Sequence, residues 1–185
     1  MNGPQRQAAM IADEHVRIIA GAGSGKTRVL MVRIAYLIEE IGILPWRIMA
    51  ITFTNKAANE MKERLRAMIG PTADDVRIST IHSLCVRMLR EDGMTIGYPS
   101  TFTILDPDDQ HAIIRRIEAE RSISKKDFSP ASVTSYISSC KSADVPVEKA
   151  LAQAASKQKV YAELYEQYEK VRRDMTAMDF DDPLR

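Results

Sequence analysis

The segment Ala20-Gly21-Ala22-Gly23-Ser24-Gly25-Lys26-Thr27 constrains what this chain can fold into more than any other. It follows a short β-branched apolar run, Val16 to Ala20, which reads as a buried strand. It opens a helical pattern from Lys26 to Ile41, where Val29, Val32, Ile34, Leu37, Ile38 and Ile41 cover one broad face. Strand, glycine-rich turn, Gly-Lys-Thr and helix make the context of a phosphate-binding loop. The glycines let successive N–H groups curl around a β-phosphate, helped by the positive end of the helix dipole. Lys26 supplies a point charge for the β- and γ-oxygens, and the Thr27 hydroxyl is a ligand for Mg²⁺. Ala20 stands where the pattern has glycine, a position that mainly has to be small. Such a loop predicts nucleotide binding but does not specify a reaction.

The same alternation continues. A short helix over 4–13 precedes the loop, with Pro4 in its first turn. Residues 48–53 read as a second strand, and Thr54 caps a helix over 55–69 that Gly70-Pro71 stops. Residues 76–79 read as a third strand and 80–92 as a helix, with a further strand over 102–105. Alternation of this kind predicts a parallel sheet with crossover helices. At Asp106 the character changes: an Asp cap, Pro107 and two acids mark a helix start. From there on only helix and turn are expected, with helices over 107–121, 130–141, 146–156 and 157–175. In the last, Val160, Leu164, Tyr168, Val171 and Met175 form one stripe, and its tyrosines read as packing.

Charge narrows the partners. The chain of 185 residues carries 26 Lys+Arg and 25 Asp+Glu, so no basic or acidic tail is present. Residues 1–105 hold 13 basic and 10 acidic side chains, net +3, so attraction to a polyanion belongs there. Cys85 and Cys140 form no CxxC pair, which argues against zinc or a disulfide framework and for the cytosol. No stretch approaches the roughly 20 apolar residues of a membrane span, and the first residues lack a signal-peptide core. No membrane partner is therefore expected.

Several further segments carry a resemblance. Asn2-Gly3-Pro4-Gln5-Arg6-Gln7-Ala8-Ala9 resembles the Q motif of superfamily 1 helicases of the UvrD/PcrA/Rep group. GAGSGKTRVL, Gly21 to Leu30, resembles that family's motif I, and AITFTNKAANEM, Ala50 to Met61, its motif Ia. STIHSLCVRML, Ser79 to Leu89, is similar to motif Ib, with Ile81 where phenylalanine is usual. ILDPDDQ, Ile104 to Gln110, resembles the start of the inserted helical subdomain. Asp179-Phe180-Asp181-Asp182 resembles a DFDDL segment near its end, with Pro183 in place of leucine.

The resemblance implies an α/β fold: a partial RecA-like P-loop parallel sheet over 1–105, followed by an all-helical inserted subdomain over 106–185. It implies ATP with Mg²⁺ as cofactors. Their ligands would be Gln5, Arg6, Ala22, Gly23, Ser24, Gly25, Lys26, Thr27 and Arg28, with Lys26 and Thr27 catalytic and Thr27 on the metal. It implies single-stranded DNA as partner, met by Phe53, Thr54, Asn55, Lys56, Thr80, His82 and Phe180. The residues suit those roles. Gln5 offers the donor and acceptor that an adenine edge needs. Phe53 offers a stacking face at a strand's carboxyl end, where open parallel sheets bind ligands. Thr54 and Asn55 can bond phosphate beside a helix N-terminus. Taken alone, each has a plainer reading: Gln5 and Arg28 as surface helix residues, Phe53 as a core aromatic, His82 as structural.

A helicase of this family also needs a DExxD-like acidic motif after a strand, and a second RecA-like domain with arginine fingers. Neither Asp74-Asp75 nor Asp108-Asp109 has the preceding apolar strand. The resemblance therefore covers the N-terminal part of an ATP-dependent 3′-to-5′ helicase. The rest would follow residue 185, and the end inside a motif reads as a designed boundary or a truncated frame. The fragment is expected to bind ATP and single strands weakly without turnover, and the missing C-terminal part is its expected partner. A stand-alone, non-hydrolysing nucleotide and single-strand module is the alternative. A P-loop kinase acting on a small metabolite is more remote: Arg115-Arg116 and Arg172-Arg173 would be its lid, but helix-face charges are usually solvated, and motif Ia has no role there.

Overall fold

The computed structural model describes residues 1–185 other than Asp13, Ala22, Lys125 and Arg185. Two compact units divide the chain, Met1–Leu84 and Cys85–Arg185. Among the described residues no helix is long and apolar enough to cross a membrane.

In the first unit, α1 spans Gly3–Met10 and α2 spans Lys26–Glu39. Strand β1, Met49–Thr52, leads into α3, Asn55–Ile69, and β2, Arg77–Thr80, leads into α4, Ile81–Asp92. The first turn of α4 belongs to this unit. Strands β1 and β2 run parallel, with Met49 opposite Arg77 and Thr52 opposite Thr80. A parallel pair needs a crossover, and α3 supplies it. The strands bury Ala50 and Ile78 against Met31 and Ile34 of α2 and Met61 and Leu65 of α3. On the opposite sheet face Met49 and Ile51 are exposed. The Thr54 hydroxyl caps α3 by accepting from the Ala57 amide at 3.1 Å, as its sequence position predicts.

The strand expected over 16–20 does not join a sheet. The segment carries no strand assignment, β1 and β2 pair only with each other, and Ile19 is 86% exposed. A strand is defined by a ladder partner, and among the described residues this run has none. Its apolar composition still suits burial between neighbours.

The second unit is mainly helical. It holds α5, Pro107–Glu120; α6, Pro130–Ser142; α7, Val147–Gln153; and α8, Lys157–Asp174. Helix α8 packs on the other three. Its Leu164, Tyr165 and Tyr168 join Ile114, Val133 and Ile137 in one core. Tyr161 packs edge-on against Phe128, with ring centroids 5.0 Å apart. These tyrosines are packing groups, as their periodicity predicts, although Met175 at the stripe's end is exposed. Asp106 and Asp109 form a reciprocal capping box at the start of α5.

The strand expected over 102–105 is present, but its partner lies where only helix and turn were expected. Strand β3, Thr103–Ile104, pairs in parallel with β4, Ala177–Met178, and not with β1 or β2. Flanking residues explain the pairing: Phe102 and Leu105 are each 3% exposed, and Leu105 lies in the helical core. Two-residue strands have no period to read.

Candidate functional site

The loop ahead of α2 is shaped by its glycines. Gly23 takes φ 73° and Gly25 φ 82°, a region that side chains with a Cβ enter only with strain. Gly25 is the N-cap of α2, and among the described residues no side chain caps that helix. Its first-turn N–H groups and positive dipole end are therefore left for an anion. The Ser24 hydroxyl donates to the Gly21 carbonyl at 2.7 Å, which tightens the turn. Lys26 donates to the carbonyls of Ala20 at 3.0 Å and Gly21 at 2.6 Å, folding its ammonium back over the loop. Lys26, Thr27 and Arg28 are exposed, and Ala22 lies outside the described residues.

Gln5 is brought to this loop from α1. Its Nε2 donates to the Ser24 carbonyl at 3.0 Å, while its Oε1 accepts from the Asn2 amide at 2.9 Å. The Asn2 side chain returns the favour by accepting from the Gln5 amide, which completes a capping box. The Asn-x-x-Gln spacing is a sequence signature of that cap, and reading Gln5 only for adenine overlooks it. A primary amide has a second N–H and a second lone pair, so half of its capacity is left for a ligand. Arg6 is exposed on the same helix.

Arg33 anchors α1 from the other side. Its Nη1 donates to the Ala8 carbonyl at 3.2 Å and to the Ile11 carbonyl, satisfying acceptors at the helix's C-terminal end. Replacing Arg33 with Met keeps the apolar stem and removes both bonds. Bonds to a charged group are each worth about 1.5–3 kcal/mol, so losing two should raise local opening of α1 by roughly 10²- to 10⁴-fold. Amide hydrogen exchange over residues 5–11 reads this directly, and unchanged exchange would refute it.

The strand ends form a second cluster. Because Thr52 pairs with Thr80, the residues that follow each strand emerge side by side. Phe53 is 96% exposed, which removes the core reading of this ring. Thr54, Asn55 and Lys56 are exposed beside it at the start of α3. The Thr54 hydroxyl oxygen is taken up by its cap, and its proton is left to donate. Thr80 is only 6% exposed, and its Oγ1 shares a proton with the Ser83 hydroxyl at 2.8 Å and accepts from the Ser83 amide. That oxygen caps α4, a local role that strand-end position does not disclose. His82 is half-buried two residues on.

Phe180 lies in the second unit, 56% exposed, beside a buried charge cluster. Lys141 of α6 meets Glu169 of α8 and Asp179 and Asp182 of the turn after β4, all within 2.9 Å. Arg172 makes two bonds to Glu169, at 3.0 and 2.7 Å, and one to the Ala177 carbonyl at 2.7 Å. The Tyr168 hydroxyl donates to Asp179 at 3.1 Å. Burial alone would lower the Lys141 ammonium, but Asp179, Asp182 and Glu169 outweigh it and hold the group above its ordinary range. Burial alone would raise the Glu169 carboxyl, but Arg172 and Lys141 pull it down to about 2. Burial also pushes the Tyr168 hydroxyl up, as do Asp179 and Asp182. Arg172, expected to be solvated, is 3% exposed. It shares the inward side of α8 with Tyr165 and Tyr168, and that placement was the signal available. Glu169, Asp179 and Asp182 have the spacing of a metal cluster, but the Lys141 ammonium reaches an oxygen of each.

A glycine-capped helix carrying Lys-Thr, beside parallel strands that end in exposed polar and aromatic residues, defines a phosphate-binding-loop protein of the α/β class. More narrowly, the chain belongs to the UvrD/REP helicase N-terminal domain family, whose profile matches residues 1–185. It is 46% identical over 183 residues to the ATP-dependent DNA helicase PcrA of Bacillus subtilis (strain 168), covering 98% of this chain and 25% of the relative. The PcrA proteins of Leuconostoc citreum and Staphylococcus aureus (strain Mu50 / ATCC 700699) are 40% and 41% identical, over the same shares of chain and relative. The chain thus spans about a quarter of the length of these relatives.

Proposed function

We propose that this chain is the nucleotide-binding and single-strand-binding part of an ATP-dependent 3′-to-5′ DNA helicase. Residues 1–105 are read as the N-terminal part of its first RecA-like domain, and 106–185 as its inserted helical subdomain. The observation that carries the reading is the glycine-capped N-terminus of α2, with Lys26 and Thr27 exposed at it. That donor set fits a nucleotide's phosphates. Gly23, Ser24, Gly25 and Lys26 would hold the phosphates, Thr27 the Mg²⁺, Gln5 and Arg6 the base side, and Arg28 the helix's outer edge. Bound Mg²⁺ would screen phosphate charge. The direction of translocation rests on the family resemblance alone.

Phe53, Asn55 and Lys56 would meet single-stranded DNA, with Thr54 donating its proton and Thr80 and His82 shaping the strand end beside them. Phe180 is assigned the same class of ligand within its own unit. Phosphoryl transfer depends on positioning and charge stabilisation, and an arginine finger alone contributes roughly 10³–10⁵ in rate. The chain alone is therefore expected to bind without turnover. Titration with a fluorescent ATP analogue and with labelled oligothymidylate tests the reading, alongside a steady-state ATPase assay. Phe53→Ala should weaken the oligonucleotide by about 1–3 kcal/mol, roughly 5- to 150-fold, and leave the nucleotide unchanged. Retention of neither ligand by the parent chain would sink the reading, and DNA-stimulated hydrolysis at ordinary enzyme rates would sink its no-turnover part.

A further inference from the structure

The Lys141 side chain has no exposed surface, and an ammonium so placed is retained only if it is fully compensated. The acids that compensate it do something more than balance charge. Asp179 and Asp182 flank Phe180 in sequence, and each carboxylate reaches both the buried cluster and the backbone of the turn. Asp179 gives one oxygen to Lys141 at 2.5 Å and the other to the amides of Asp181 and Asp182, at 3.1 and 3.2 Å. Asp182 gives one oxygen to Lys141 at 2.7 Å and the other both to the amide of Asp179 at 3.0 Å and to Arg172 at 3.2 Å. The turn that carries Phe180 is therefore closed by the same groups that the lysine grips. Glu169, on α8, holds the lysine from the far side at 2.9 Å.

We propose that Lys141 is a positioning residue for Phe180: its buried ammonium holds Asp179 and Asp182 in the pose that closes the turn, and the turn presents the ring as a stacking face for an unpaired base. The proposal rests on the single-strand reading above and adds the device that serves it. A ring on a closed turn loses little freedom when a base stacks on it, whereas a ring on a loose turn is ordered at the expense of affinity. The surrounding charges suit a fixed device: two buried cations, Lys141 and Arg172, meet three carboxylates, with the exposed Arg173 at 4.0 Å from Glu169, and Asp179 and Asp182 also accept from backbone amides inside the turn.

Lys141→Met removes the one cation that reaches all three carboxylates and is expected to weaken the unit as a whole. The decisive variant is Asp182→Asn, nearly isosteric, which leaves two buried cations and two carboxylates in the cluster. In the full 185-residue chain, Asp182→Asn should speed amide exchange at Asp179 and Asp182 while lowering the thermal transition less than Lys141→Met does. Its affinity for labelled oligothymidylate should fall about 5-fold or more, as should that of Phe180→Ala. The double variant should bind no more weakly than Phe180→Ala alone, because the clamp acts only through the ring. Losses that multiply in the double variant, or unchanged exchange in the turn, overturn the positioning role while the single-strand reading stands. A parent chain that retains no oligonucleotide overturns both.

Discussion

Lys26→Ala is expected to lower affinity for Mg²⁺-ATP by about 10- to 150-fold while leaving stability within about 0.5 kcal/mol of the parent. The affinity estimate follows from the bonds at stake. An ammonium on phosphate oxygens makes charge-assisted hydrogen bonds of about 1.5–3 kcal/mol, and about 1.4 kcal/mol is tenfold in affinity. The stability estimate follows from the geometry. Lys26 is exposed, and among the described residues its ammonium bonds only to the Ala20 and Gly21 carbonyls and no carboxylate pairs with it. Truncating it strands no buried charge. Titration with a fluorescent ATP analogue and a urea melt of the same samples check both halves. A variant that binds nucleotide like the parent would remove the lysine from the site, and one that melts much earlier would make it structural.

Lys141→Met should have the opposite profile: a large loss of stability, about 3–5 kcal/mol, in the helical unit. Methionine fills the volume but leaves Glu169, Asp179 and Asp182 packed together with Arg172 as the remaining buried cation. A loss of that size is a substantial part of the roughly 5–15 kcal/mol that holds a domain together. Lys149→Met is the matched control, because it removes the same charge from an exposed position of α7. It should move the urea midpoint by less than about 0.5 kcal/mol. Near-equal melts for the two variants would show that the buried cluster contributes little.

These two lysines also divide what could be read in the sequence from what could not. Lys26 announces itself: glycine before it, threonine after it, an apolar run upstream and a helix downstream. Such signals are local, and so is their physics. The Thr54 cap and the Asp106–Asp109 box close hydrogen bonds within three residues, so their helices begin where composition says they begin. The glycines at 23 and 25 take the left-handed φ that the loop requires. Lys141 announces nothing. It follows Val133, Ile137 and Cys140 on a helix face, and its partner Asp179 lies 38 residues away.

The other departures share that cause. Residues 16–20 have the sequence of a strand, but a strand needs a neighbour, and pairing is decided between segments. Residues 103–104 were placed with β1 and β2 by alternation, yet burial of Phe102 and Leu105 sends them to β4. Thr80 was read as facing DNA, and its oxygen is turned inward to cap α4. Gln5 serves Asn2 and Ser24 at once, and only the second bond, spanning 19 residues, required the fold. Sequence by itself determined the phosphate-binding loop, the helix starts and the family to which the chain belongs, because those are written in neighbouring residues. Tertiary structure decided which charges are buried, which strands pair and what holds Phe180 in place, because each depends on groups that only folding brings together.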